Sequence, residues 1–378
     1  MSRFLACFAV LTTSALYAQD YAFVLDQAED IPLLSSQFAA EYQRDLNENI
    51  GTSFLYTVQS GMKCLNRNEF SIILVGGADY LGSDDISRPT ELGVNSIGNY
   101  SFTTGIPTVF NDVEGSELIY QFIDPDTGGD LVDPGTGDKV RLSVGLPAGL
   151  GVDRGATPAG TIGIGYGVGA NTSIYVNFTP MLFSSLGDQF DGLSIESDYA
   201  FGAHLKHDFG SWIDFFSSRN IHASISVGYN AYSMSGTSSA IVPTVVELSN
   251  DYELQASGAD LEFSTSISTI GSRLELSRSY GFIELAIFGD YVQNNYETTS
   301  DGDMQVSIVN TSSGVTDEER TLSNFSDYDG SSSSMGGGAT LTLGQGWFRG
   351  VISYRHSAVA NVSFGLLFHL NSNSGSEG

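Results

Sequence analysis

Residues 161–169 read T-I-G-I-G-Y-G-V-G. In an extended chain successive side chains point to opposite faces. Ile162, Ile164, Tyr166 and Val168 therefore share one face, and Gly163, Gly165, Gly167 and Gly169 share the other. A helix would scatter the same apolar residues around its circumference. The stretch predicts a strand with one apolar face and one bare face, against which another element can come close.

The period continues outward from this stretch. Ile174, Val176 and Phe178 oppose Tyr175, Asn177 and Thr179; Tyr199, Phe201, Ala203 and Leu205 oppose Gly202, His204, Lys206 and Asp208. Ile225, Val227 and Tyr229 oppose Ser224, Ser226 and Asn230, and near the end Val362, Phe364 and Leu366 oppose Ser363 and Gly365. In 280–293 the apolar face is Ile283, Leu285, Ile287 and Tyr291, which turns Glu284 and Asp290 the other way. These runs exceed the ordinary strand of about five or six residues and match the roughly nine to eleven that a tilted strand needs to cross a bilayer. Together they predict an all-β protein, an antiparallel transmembrane β-barrel of about 12–14 strands with a short N-terminal helical plug. A soluble sandwich would alternate over shorter strands.

Residues 1–18, MSRFLACFAVLTTSALYA, have the basic start, short apolar run and small-residue end of a secretory signal peptide. Its removal leaves Cys64 as the single cysteine, which excludes an internal disulfide and a thiolate metal cluster. No run of apolar residues is long enough for a membrane-crossing helix. Within 19–50, Leu34, Phe38, Tyr42 and Leu46 recur every fourth residue, so this segment is expected to be an amphipathic helix that plugs or braces the barrel or, alternatively, packs as a periplasmic helix beside the lumen mouth. Residues 51–370 are assigned to the barrel, with Ser53–Cys64 as a candidate first strand. Long acidic, glycine- and serine-rich loops are expected at 111–138, 294–302 and 311–336, and a polar tail at 371–378.

The composition agrees with export to a membrane rather than with nucleic-acid work. The formal charge is −29, from 15 basic and 44 acidic side chains, and nothing could neutralise a run of phosphates. Charged residues make up only 16% of the chain, against the usual quarter of a soluble domain.

The run G-T-I-G-I-G-Y-G-V-G-A-N-T-S-I-Y-V-N-F-T-P (160–180), then F-G-A-H-L-K-H-D-F-G-S-W-I-D-F-F (201–216) and I-H-A-S-I-S-V-G-Y-N-A-Y (221–232), resembles an uncharacterised family of exported outer-membrane β-barrel proteins of Bacteroidota. Lys206, His207 and Asp208 fall on the most specific motif of that family. The resemblance implies an outer-membrane barrel; the family has no established activity, so it implies nothing of the substrate. At the level of architecture the chain is also similar to outer-membrane transporters of long-chain fatty acids and other hydrophobic compounds.

Chemistry is sparse. There is no G-x-S-x-G elbow, and the glycines at 163–169 recur every second residue, unlike a dinucleotide-binding loop. His207 points away from Lys206 and Asp208 on a strand, which suits a rim anchor better than a catalytic dyad. No catalytic residue is expected, and the chain is not expected to be an enzyme. Tyr175, Asn177, His204, Lys206, Asp208, Glu284 and Asp290 are the expected lumen-facing residues. Asp124, Asp126 and Asp130 crowd a glycine-rich loop and are candidate calcium ligands; no other cofactor is expected. The function expected first is a monomeric barrel in the outer-membrane lipid of a Gram-negative cell that passes or binds small hydrophobic or neutral molecules. The alternative is a structural or surface-display barrel whose acidic loops bind calcium or a partner.

Overall fold

The computed structural model describes residues 21–370 apart from 82–85, 87–88, 94, 110, 112, 114–115, 147–154, 170, 180–192, 239–243, 250, 259–260, 324, 326 and 358. The expected signal peptide and polar tail lie outside the described residues.

Two helices open the chain, α1 (Ala22–Ala28) and α2 (Asp30–Gly61). The strands follow as β1 (Phe70–Leu81), β2 (Asn99–Phe102), β3 (Glu117–Gln121), β4 (Arg141–Gly145), β5 (Gly155–Gly169), β6 (Thr172–Phe178) and β7 (Leu193–Asp208). A short α3 (Asp214–Ser217) precedes β8 (Ile221–Ser238), β9 (Thr244–Ser249), β10 (Tyr252–Gly258), β11 (Leu261–Tyr280) and β12 (Ile283–Asp301). The chain ends with β13 (Met304–Asn310), β14 (Val315–Leu322), β15 (Tyr328–Gln345), β16 (Phe348–His356) and β17 (Ala360–Leu370).

Ten strands close into a barrel, in the order β1-β5-β6-β7-β8-β11-β12-β15-β16-β17 and back to β1. All its pairs are antiparallel, and the ring is sealed where β1 meets β17, Phe70 opposite Leu370 and Tyr80 opposite Ala360. The count is ten rather than twelve to fourteen: Lys139–Leu146 and Asp303–Asn310, expected as barrel strands, lie in separate cap sheets, 261–269 and 271–276 are one strand, and Ser53–Gly61 is helix. β2-β3-β4 form one small sheet and β9-β10-β13-β14 another. Both arise from excursions at one end of the barrel, between β1 and β5, β8 and β11, and β12 and β15. The opposite end has tight turns, such as Gly281 and Gly346 at positive φ, and one longer turn carrying α3.

The loop assignments change accordingly. Residues 294–301 continue β12, 315–322 are β14 and 328–336 open β15. Within 111–138 the chain forms β3 and two tight turns closed by the bridges Ile123–Asp130 and Val132–Lys139. The N-terminal plug is also longer than expected. Ser53–Gly61 is helix, not strand, and α2 runs for 32 residues, a length of about 48 Å. Pro32 is tolerated in its first turn, where the missing N–H has no intrahelical partner anyway.

The long strands change character halfway. In the half near the tight turns, β12 turns Leu285 and Ile287 outward, 52% and 63% exposed, and Ala286 and Phe288 inward, 5% and 7% exposed. Beyond Tyr291 the outward residues of β12 become Gln293, Asn295, Glu297, Thr299 and Asp301, while Val292 and Tyr296 are buried within. β11 does the same. Leu276, Leu274 and Ile270 face out at the turn end, then Ser268, Ser266, Ser264 and Glu262, with Ile267 and Phe263 inside. The apolar outer band is bordered by exposed aromatics: Phe70, Tyr280, Phe282 and Trp347 at the turn end, and Tyr80, Tyr199, Tyr229, Tyr291 and Tyr354 toward the cap. From Phe70 to Tyr80 on β1, a strand tilted by about 40° rises roughly 25 Å, the height of the apolar band of a membrane barrel.

Candidate functional site

Helix α2 occupies the lumen. It leaves it at the turn end through the link 62–69 and rises, in the direction of the N-terminus, into the cap. Gly51 marks how tightly it fits. A Cβ there would lie 2.1 Å from Thr269 Oγ1 and 2.6 Å from Asn294 Oδ1. A void lined by Gly51, Phe54, Asn177, Asn230 and Thr269 measures about 10 Å³, the space of one water at most.

The expected lumen residues sit around this helix and its link. Tyr175 is fully buried and its hydroxyl donates to the Lys63 carbonyl at 2.6 Å. Lys206 donates to the Met62 carbonyl at 3.0 Å and pairs with Glu275 at 2.9 Å, both side chains buried. Lys63 of the link pairs with Glu284 at 2.7 Å. Asp290 receives Arg355 Nε at 3.0 Å, with Arg273 Nη2 at 3.5 Å from its other oxygen. The Arg355 guanidinium lies over the ring of Tyr56 from α2, 3.6 Å from its centroid. His204 Nε2 lies 3.0 Å from Asn177 Oδ1. Asp208 is inward too, but serves the turn below it, accepting from the Gly210 N–H at 2.8 Å and lying 2.8 Å from His222 Nδ1. His207 points outward to Thr172 and the Trp212 ring, so His207 and Asp208 do not meet.

Burying so many charges makes sense only because they are paired, since an unpartnered ion in this seam would cost several kcal/mol. The pairs join wall to link and wall to wall, so they anchor the plug. The bare face of the 161–169 strand serves the same end: a Cβ at Gly167 would meet the Asn66 carbonyl oxygen at 1.8 Å. Sequence reasoning passed over Lys63, Arg273, Glu275 and Arg355. Strand alternation could have placed Arg273 and Glu275 inside; nothing local marks Lys63, which lies on an irregular link.

At the cap, α1 and the start of α2 are wedged between the two small sheets. Val24, Leu25, Ile31, Leu34 and Phe38 pack with Leu118, Tyr120, Phe122 and Leu142 on one side and Leu254, Met304, Val306 and Ile308 on the other. Asp30 fixes the junction, receiving the Tyr120 hydroxyl at 2.6 Å and the Ile97 N–H at 2.6 Å. Burial, with the Asp30 carboxylate beside it, pushes the Tyr120 phenol well above its usual range.

Of the loop carboxylates expected to hold calcium, Asp124 and Asp130 take part in contacts within the loop and with Lys139. Asp124 accepts from the Asp126 N–H and the Thr127 hydroxyl, each at 2.9 Å, contacts that hold its carboxyl below the usual range. Asp133 repeats the motif with Gly135 and Thr136, and Asp130 pairs with Lys139. Asp126 contributes its backbone N–H to the same turn. These acids lock two consecutive turns, and among the described residues no group of three or more His, Cys, Asp or Glu could hold a metal ion.

Ten antiparallel strands closed round a helix, with an apolar outer band and a polar seam inside it, define a plugged membrane-type β-barrel. The chain belongs to a family of unknown function (DUF6588), whose model matches residues 1–370. No curated protein matches the sequence. Among solved structures, the translocator domain of the autotransporter NalP from Neisseria meningitidis is 11% identical over 90% of this chain and 99% of that one, with a TM-score of 0.35. The attachment invasion locus protein Ail of Yersinia pestis is 8% identical over 80% and 99%, TM-score 0.23. A Pseudomonas aeruginosa FadL homologue is 9% identical over 85% and 97%, TM-score 0.22.

Proposed function

We propose that this protein is a monomeric outer-membrane barrel, sealed by its own helix, that holds a folded acidic cap above the membrane. The observation that carries the proposal is the occupied lumen. α2 passes from the turn end into the cap, and the polar seam around it is tied by ion pairs rather than left open. Of the two roles considered from the sequence, this supports display over passage of small molecules. The apolar band is taken to meet outer-membrane lipid, and the tight-turn end to face the periplasm, as in barrels of this kind. Helix α1 then lies on the outer side.

Two measurements test this. In planar bilayers the purified protein is expected to show no steady conductance; a stable open channel would restore the passage role. In intact cells, Ser257→Cys, an exposed position on β10 of the cap, is expected to react with a membrane-impermeant maleimide. The wild type, whose Cys64 sits at the turn end, should stay unlabelled. The reverse labelling pattern would overturn the orientation.

A further inference from the structure

The outward faces of β7, β8, β11, β12 and β15 meet in a shallow open depression of about 740 Å³. Strand register defines it. One row across the wall reads Phe201, Ala231, Ser268, Asn295, Ser331, and the row on its cap side reads Tyr199, Ser233, Ser266, Glu297, Asp329. Small side chains, Ala231, Ser268 and Ser331, form the floor, with Asn295 among them. Tyr199 and Tyr229, 44% and 42% exposed, stand at one side. Glu297 and Asp329 close the other.

Three observations bear on what sits there. The first is depth. The last outward apolar residues of these strands lie just below, Ile270 on β11 one outward position under Ser268 and Tyr291 on β12 two under Asn295, so the depression begins close above the end of the lipid tails. The second is chemistry. Exposed tyrosine faces beside hydroxyls, an amide and carboxylates present flat apolar surface and many hydrogen-bond acceptors at once, which is what a sugar ring needs. The third is an uncompensated cost. Glu297 and Asp329 are directly opposite on neighbouring strands, where like charges repel, and among the described residues neither has an ion pair. Carboxylates in that state welcome hydroxyl donors and repel a bare phosphate.

We infer that this depression binds the sugar headgroup of a membrane glycolipid in the outer leaflet. Tyr199 and Tyr229 pack against the ring faces, and Asn295, Glu297 and Asp329 accept its hydroxyls. The inference rests on the membrane orientation proposed above.

The test uses the full chain purified in an amine-oxide detergent, which carries no sugar. It is titrated with digalactosyl diacylglycerol and, separately, with phosphatidylglycerol of the same acyl chains, and bound lipid is counted by native mass spectrometry. The galactolipid is expected to bind about tenfold more tightly than the phospholipid, and Tyr199→Ala or Asn295→Ala to weaken it by about fivefold each. Equal retention of the two lipids, or variants that bind like wild type, overturns the inference. So does phosphatidylglycerol binding that requires magnesium and vanishes with a chelator, since that identifies a cation-bridged phosphate. The Ser257→Cys labelling in intact cells is read in parallel. Outside labelling at that position without sugar selectivity overturns the patch alone; labelling of Cys64 instead overturns the membrane orientation and the patch with it.

Discussion

Leu274 and Ser266 lie on the same outward face of the same strand, eight residues apart. Behind them the interior changes in the opposite sense. Level with Leu274 it holds the charged Arg273, Glu275 and Asp290; level with Ser266 it holds Phe263, Ile267, Tyr296 and, from the helix, Ile50 and Phe54, with the uncharged Thr265, Thr298 and Gln43 hydrogen-bonded among them. The backbone geometry is continuous across the change, so the backbone does not cause it. The surroundings do. Where the outside is hydrocarbon, an apolar exterior gains nothing by turning inward, and polar groups are placed where they can pair with one another. Where the outside is water, the ordinary hydrophobic effect returns and large apolar side chains enter the core, among hydrogen-bonded but uncharged Thr265, Asn294 and Thr298. One barrel thus contains a membrane protein and a soluble protein end to end, with Gly271 and Val292 near the border.

The hardest blow to this contrast falls on the lower interior. Lys206→Met leaves Glu275 buried without its partner, and we expect a loss of about 3–5 kcal/mol, read as a lowered midpoint for detergent-solubilised unfolding in urea. Adding Glu275→Leu should recover most of it; a single variant as stable as wild type would mean the seam is wet. A cation on the outer face gives the cleanest discrimination between the halves. Ile287→Arg, facing the bilayer, should cost about 2–4 kcal/mol. Asn295→Arg, four strand steps higher on the same face, should stay within about 0.5 kcal/mol. Equal costs would abolish the proposed border. The smallest effect is expected above it. Glu297→Gln relieves the repulsion from Asp329 and should stabilise by less than about 1 kcal/mol, a gain that fades as salt is raised.

The lower half was the legible one. Its apolar and polar faces alternate cleanly because two immiscible media are separated by one strand, and Ile162, Ile164, Leu285 and Ile287 announce that directly. The upper half disguised itself. Outward Gln293, Asn295 and Glu297 interleaved with inward Asn294, Tyr296 and Thr298 look polar throughout, so the end of β12 resembled a loop. The last part of α2 failed for a related reason. A helix enclosed on every side has no wet face, so G-T-S-F-L-Y-T-V-Q-S-G at 51–61 lacks the stripe that made Leu34, Phe38, Tyr42 and Leu46 recognisable. The Asp-rich loop carries two readings at once: Asx-type turns and calcium loops draw on the same residues, and the N–H and hydroxyl donors to Asp124 and Asp133 show the turns they close.

The seam between β1 and β17 has a consequence for how the molecule is made. Asp79 receives the amide of Asn361 across it, 282 positions away along the chain. The ring therefore cannot shut until the last residues have been delivered. The helix is among the first segments to leave the export machinery, yet its resting place does not exist until then. Throughout that interval its greasy stripe has no wall to cover it. Assembly must either shield this waiting segment or fold the sheet around it as a template, and the earliest part of the protein to arrive is among the last to settle.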